Sequence, residues 1–99
     1  MTTPKSFVAK LVTKPEKRDE FVKLQTELKD LVFKHEPDAK VYELLQSEED
    51  ADTFYCVATF KDEAAYDHHM SIDFHDRLVP PILDCLAQDM ELTVARSLG

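Results

Sequence analysis

Glycine is almost missing from this chain: of 99 residues only Gly99 is glycine, and neither tryptophan nor asparagine occurs anywhere. Loops that cradle phosphate need glycine where the backbone closes on the anion, so a P-loop, a dinucleotide-binding fingerprint and the G-x-S-x-G turn of hydrolases are all excluded. Cysteine is scarce as well. Cys56 and Cys85 stand far apart with no C-x-x-C pair, and the N-terminus has no apolar stretch long enough for a secretory signal or a membrane span. A cytoplasmic protein with free thiols is expected. Both cysteines read as small core residues, because neither has a basic neighbour at an activating spacing.

Positive charge is in deficit too, with 12 Lys and Arg against 20 Asp and Glu for a formal net charge of -8. Such a surface repels phosphate backbones, so nucleic acid is not expected as a partner, and without a long apolar stretch neither is a membrane. The acidic run Ser47-Glu48-Glu49-Asp50-Ala51-Asp52 lacks the alternating ligand spacing of a calcium loop and reads as a solvated turn. This length leaves room for one domain over 1–99. A domain so small buries only about 60% of its unfolded surface, which makes a second subunit a natural cover for whatever face is left over.

What is present is periodicity. Ser6 to Thr13 is a β-rich run that stops at Lys14-Pro15, where proline suits a first helical turn. From Pro15 onward Phe21, Leu24, Leu28, Leu31 and Val32 recur at helical spacing, and Pro37 ends the helix by disfavouring helical geometry at Glu36. Lys40 to Gln46 and Thr53 to Phe60 read as a hairpin of two strands. Asp62 is placed to cap a short helix through about Met70. Ser71 or Asp73 can cap a second one, in which Phe74, Leu78, Ile82 and Leu86 repeat every four residues and Pro80-Pro81 should force a kink or a split. Met90 to Arg96 closes the chain as a fourth strand. The order β-α-β-β-α-β predicts an α+β fold, a ferredoxin-like four-stranded antiparallel sheet with helices on one face. The strands carry apolar residues on both faces, as in Phe54, Cys56, Ala58 and Phe60 against Tyr55, Val57 and Thr59. A sheet with one wet face alternates more cleanly, so the second face is expected to meet a second copy in a two-fold homodimer.

Particular segments carry a resemblance. Glu36-Pro37-Asp38, Val41 to Ser47, Thr53-Phe54-Tyr55, Phe60 to Ala65, and a histidine at 68 or 69 followed by Ser71 and Phe74 resemble the antibiotic biosynthesis monooxygenase (ABM) family in order and spacing, over roughly 6 to 96. The resemblance implies a dimeric α+β barrel whose pocket lies between the sheet and the helices of each subunit. The family includes cofactor-independent monooxygenases of aromatic polyketide anthrones and quinols, an isomerase of a phosphorylated sugar derivative and more distant haem-degrading enzymes. The Asn and Trp those oxygenases and haem degraders use have no counterpart here. The family's Glu-Pro-Gly turn carries Asp38 in place of Gly, which costs little in a type I turn. The histidine segment is one residue short: counting forward from Asp62 favours His69, and counting back from Ser71 and Phe74 favours His68.

Cofactor-free oxygenation of a small aromatic, quinol or polyketide-type substrate needs a base and a dry pocket that stabilises the substrate anion. His69 and His75 are the candidate bases and Tyr66 and Arg77 the candidate hydrogen-bonding or anion-holding neighbours, with no cofactor and no metal. The plainer reading makes all four structural or surface polar groups near a helix junction. Tyr42 and Tyr55 fit a pocket or the dimer interface, and the interface is favoured because strand aromatics usually fill packed faces. His35 suits the negative end of the first helix. His68, His69, Asp73, His75 and Asp76 match no known metal-ligand spacing, since adjacent helical histidines point about 100° apart. Two other functions fit the same residues: an isomerase or lyase using the histidine base without oxygen, and a non-catalytic dimeric binding or stress-response domain whose pocket is filled by side chains.

Overall fold

In the computed structural model, which describes residues 3–98, the chain runs β1 (Lys5–Val12), a short 3-10 turn (Pro15–Lys17), α1 (Arg18–His35), β2 (Ala39–Gln46), β3 (Thr53–Phe60), α2 (Glu63–Ser71), α3 (Asp73–Asp84) and β4 (Glu91–Arg96). The extreme ends of the domain expected over 1–99, Gly99 included, lie outside the described residues. The strands form one antiparallel sheet in the order β2-β3-β1-β4, the ferredoxin-like arrangement predicted from the element order.

Register decides what faces the helices. Phe7 stands opposite Ala58, Ala9 opposite Cys56 and Leu11 opposite Phe54, and directly opposed residues share a face. All six are buried, and α1 lays Phe21, Leu28 and Val32 over them while α3 adds Phe74, Leu78 and Ile82. Phe21 and Phe54 meet with ring centroids 4.8 Å apart. On β2 a bulge between Ala39 and Val41 inserts one residue, so Ala39 and Tyr42, three apart, are both buried. A strand without the bulge would have alternated them onto opposite faces.

The helix ends follow local chemistry. α1 stops where Glu36, ahead of Pro37, leaves helical geometry at φ -123° and ψ 80°. The Asp62 carboxylate accepts the Ala65 N–H at 2.8 Å and caps α2 as expected. Neither residue expected to cap α3 stands at the N-cap, which is Ile72 in an extended conformation. Ser71 instead donates back to the carbonyls of Asp67 and His68 within α2, while Asp73, already in α3, accepts the Phe74 N–H at 2.8 Å. Nor does Pro80-Pro81 split α3, which is continuous from Asp73 to Asp84. The two missing N–H donors would have served the carbonyls of Asp76 and Arg77, both exposed residues where water substitutes.

Two surfaces stay uncovered. On the side of the sheet away from the helices, Val8, Val41 and Leu45 are exposed, with Tyr55 and Val57 half-buried among them. On the helix side, Leu92 and Val94 of β4 pair with Ala9 and Phe7 yet remain 43% and 48% exposed. The acidic turn between β2 and β3 is ordered by its own side chains: Ser47 Oγ accepts the N–H groups of Glu49 and Asp50, and the Asp50 carboxylate accepts from Asp52 N–H and the Thr53 hydroxyl. Among the described residues no helix is long and apolar enough to cross a membrane. Asp62→Ala removes the α2 cap and is expected to lower unfolding stability by about 1 kcal/mol, read as a shift of the urea midpoint at unchanged slope.

Candidate active site

Between the sheet and the helices lies a cavity of about 160 Å³. Phe7, Leu11, Leu28 and Ile82 give it an apolar wall, interrupted only by Gln25 of α1, Tyr42 of β2, Cys56 of β3, His69 of α2 and His75 of α3. Met90 and Leu92 line its β4 side, where Met90 is also exposed.

His69 is the most enclosed of these groups, with none of its surface exposed. It sits two turns beyond the Asp62 cap, a phase that turns its ring toward the sheet and leaves His68 outside. Its ring lies 4.9 Å from Phe60 and 6.3 Å from Phe7, with Tyr42 edge-on at 5.7 Å and His75 at 4.7 Å. Nδ1 is 2.9 Å from Oε2 of the buried Glu36, whereas Nε2 has no hydrogen-bond partner among the described residues.

Burial opposes both charges of this pair. It pulls the imidazole down to about 4, with the neighbouring His68 adding to the effect, and pushes the Glu36 carboxyl above its usual range against the pull of His68 and His75. The contact is therefore a hydrogen bond around one proton rather than a pair of permanent charges. The tautomer that donates Nδ1–H to the Glu36 carboxylate leaves Nε2 with its lone pair unpartnered. Burial also lowers His75, reinforced by His69 and opposed by Asp76 and Glu36. Tyr42 is held as a neutral phenol, mainly by burial. Burial pushes the Cys56 thiol up to about 11, so it is no nucleophile at neutral pH.

Glu36 has a second aspect. It also lines a separate recess of about 300 Å³ with His35, Asp62 and His68. Glu36 thus borders both the buried imidazole and a more polar recess.

Of the residues singled out from sequence, His69 and His75 are brought together in the cavity. Tyr66 and Arg77 are not. Tyr66 is buried one turn closer to the cap, edge-on to Phe7 and Phe60 at 6.3 and 6.0 Å with the Lys5 ammonium 4.3 Å over its ring. Arg77, two residues past His75 and so about 200° around the helix, is exposed. Tyr42, opposite Ala58 and in phase with Leu44 opposite Cys56, faces the cavity rather than the outer sheet surface favoured for it; Tyr55 does face that outer surface. Two cavity or cavity-linked groups, Gln25 and Glu36, are not among the site residues expected from sequence, and Tyr42 takes the pocket position that was its second alternative. Gln25 carried a signal, a polar residue inside the apolar stripe Phe21, Leu28, Val32 of α1. Among the described residues, no group of three or more His, Cys, Asp or Glu is placed to hold a metal ion.

The unfolded imidazole binds its proton near 6.5 and the folded one only near 4, so His69's share of stability is intact above pH 6.5 and is lost as the pH falls through about 4. Glu36 works in the opposite sense, its share being present below 4.5 and lost as the pH rises through its raised folded value. NMR of the ring is expected to show His69 neutral down to about pH 5. Glu36→Ala strands a buried N–H and should cost about 1–3 kcal/mol in urea unfolding, whereas Glu36→Gln keeps an acceptor and costs less.

Comparison with known proteins agrees with this architecture. Residues 6–79 match the antibiotic biosynthesis monooxygenase family. Among solved structures, a conserved protein from Methanosarcina mazei Go1 superposes with a TM-score of 0.91 at 27% identity, covering 96% of this chain and 93% of its own. An antibiotic biosynthesis monooxygenase structure shares 27% identity with a TM-score of 0.86, over 96% of this chain and 99% of that one. A Caulobacter crescentus CB15 protein matches in fold at 21% identity and a TM-score of 0.94, over 99% and 92% of the two chains. No curated protein is similar enough in sequence to count as a match. The matched span takes in β1 to β3, Glu36 and both cavity histidines, and the chain belongs to the antibiotic biosynthesis monooxygenase family.

Proposed function

We propose that this protein is a cofactor-independent, monooxygenase-like enzyme that takes a small aromatic, quinol or polyketide-type substrate into the helix-sheet cavity, with His69 as its base. The observation that carries the reading is the unpartnered Nε2 of a fully buried imidazole that lines an apolar cavity while Glu36 holds Nδ1. Family membership supports the reaction type.

In this reading a substrate hydroxyl or enolisable C–H gives its proton to Nε2. The imidazolium that forms is stabilised by the Glu36 carboxylate, and the substrate anion sits in a cavity lined by the neutral Tyr42 phenol and His75. Molecular oxygen then takes its electrons from that anion. One oxygen atom enters the ring system and the other leaves as water; a hydroquinone, for example, becomes a hydroxyquinone with no outside reductant. Glu36, which also lines the polar recess, gives the proton a way out that avoids the apolar cavity. Tyr66 and Arg77 stand outside the cavity and have no role in this scheme.

His69→Ala should lower oxygen uptake with an anthrone or hydroquinone by about 10²-fold or more, and His75→Ala by less. Because the base loses its function only on protonation, kcat/KM should hold as the pH drops through 6.5 and fall near pH 4. Unchanged uptake in His69→Ala would sink the assignment, and substrate turnover without oxygen uptake would transfer it to an isomerase or lyase.

The same proposal includes a homodimer joined through the outer sheet face, supported by the exposed Val8, Val41 and Leu45. Analytical ultracentrifugation at low micromolar concentration should find a dimer, and Val8→Asp should shift it to monomer. The buried free thiols of Cys56 and Cys85 fit the cytoplasmic location proposed for it.

A further inference from the structure

Gln25 occupies a core position, four residues after Phe21 and three before Leu28 on the buried stripe of α1. It is 5% exposed, and its Oε1 has no hydrogen-bond partner among the described residues. A buried acceptor left unpaired is destabilising, a cost that Leu or Met in the same place would not incur. The only other buried side-chain N or O atom without a partner among the described residues is Nε2 of His69. Both residues line the same cavity, from different helices.

Two unpaired acceptors on one small apolar cavity describe the ligand that completes it. No protein group supplies these hydrogen bonds among the described residues, which leaves both atoms for what enters the cavity. The volume, about 160 Å³, is close to the roughly 150 Å³ of an apolar cavity able to hold a benzene ring. Any larger ring system has to leave its remainder on the β4 side, between the exposed Met90 and Leu92.

We infer that the buried part of the ligand is a single six-membered ring carrying two hydrogen-bond donors, one donating to His69 Nε2 and the other to Gln25 Oε1, so that Gln25 is the specificity-determining residue. This rests on the cavity being the substrate site, but it concerns binding and needs no turnover.

The test is anaerobic calorimetric titration of the full chain and of Gln25→Leu with phenol, the three dihydroxybenzenes and p-benzoquinone, which offers acceptors only. One dihydroxybenzene isomer should bind the native protein about tenfold or more tighter than phenol. In Gln25→Leu that advantage should vanish while phenol affinity stays within about twofold, and the urea midpoint should rise, since the stranded acceptor is gone. The inference is overturned if phenol binds as well as every dihydroxybenzene, if the advantage survives in Gln25→Leu, if the quinone binds best, or if none of them binds. Loss of oxygen uptake in His69→Ala without the two-donor preference would leave the proposed reaction standing and remove this inference; the preference without any oxygen uptake would do the reverse.

Discussion

The 2.9 Å hydrogen bond between Glu36 and His69 places two ionisable groups among phenylalanine rings, where neither could stand charged and alone. Much of the local architecture follows from keeping that pair intact. Pro37 stops α1 at the residue that must turn its carboxylate inward. The Asp62 cap sets the phase of α2 so that the imidazole meets the carboxylate and His68 does not. Phe7 and Phe60 then exclude water from the ring and keep the imidazole neutral. A residue that looks like a turn element in the sequence is thus the partner that fixes a candidate base.

The cavity is a consequence of incomplete cover. α1 and α3 fill the space over β1 and β3 with large side chains, but Leu92 and Val94 of β4 keep substantial exposure. The helix-side core therefore thins toward that edge. Polar groups enter the thinned region from α1, β2, α2 and α3, none of them adjacent in the chain. That is how a domain of this size combines a packed core with a cavity: the core occupies the β2-β3-β1 side, and the cavity takes what is left beneath α3.

Most elements were legible because their periodicities are strong. The helical repeat from Phe21 to Val32 and the alternation of Phe54 to Phe60 are each a local pattern with one structural solution. His69 could be narrowed only to a pair of adjacent histidines, since the family segment is one residue short; helix phase, fixed by Asp62, chooses between them. Ala39 cannot be placed from alternation with Tyr42, because a bulge is an insertion in the pairing of two strands and leaves no mark in either alone. Pro80-Pro81 misled in the other direction. A proline breaks a helix when it strands buried carbonyls, and solvent at Asp76 and Arg77 is a fact of tertiary structure. Tyr66 and Arg77 neighbour the candidate bases in sequence, and on a helix that does not fix the direction a side chain takes.

The turn between β2 and β3 is built from Ser47 and Asp50 side chains, and that after α1 from Pro37 with an Ala39 N–H to Glu36 carbonyl bond of 3.0 Å. None of the described connections uses glycine. A chain with no glycine before its last residue has fewer backbone conformations open to it when unfolded, and so gives up less entropy on becoming ordered. In a domain with little surface to bury, this stiffness of the denatured chain leaves room in the folded state for stranded acceptors and an unfilled cavity.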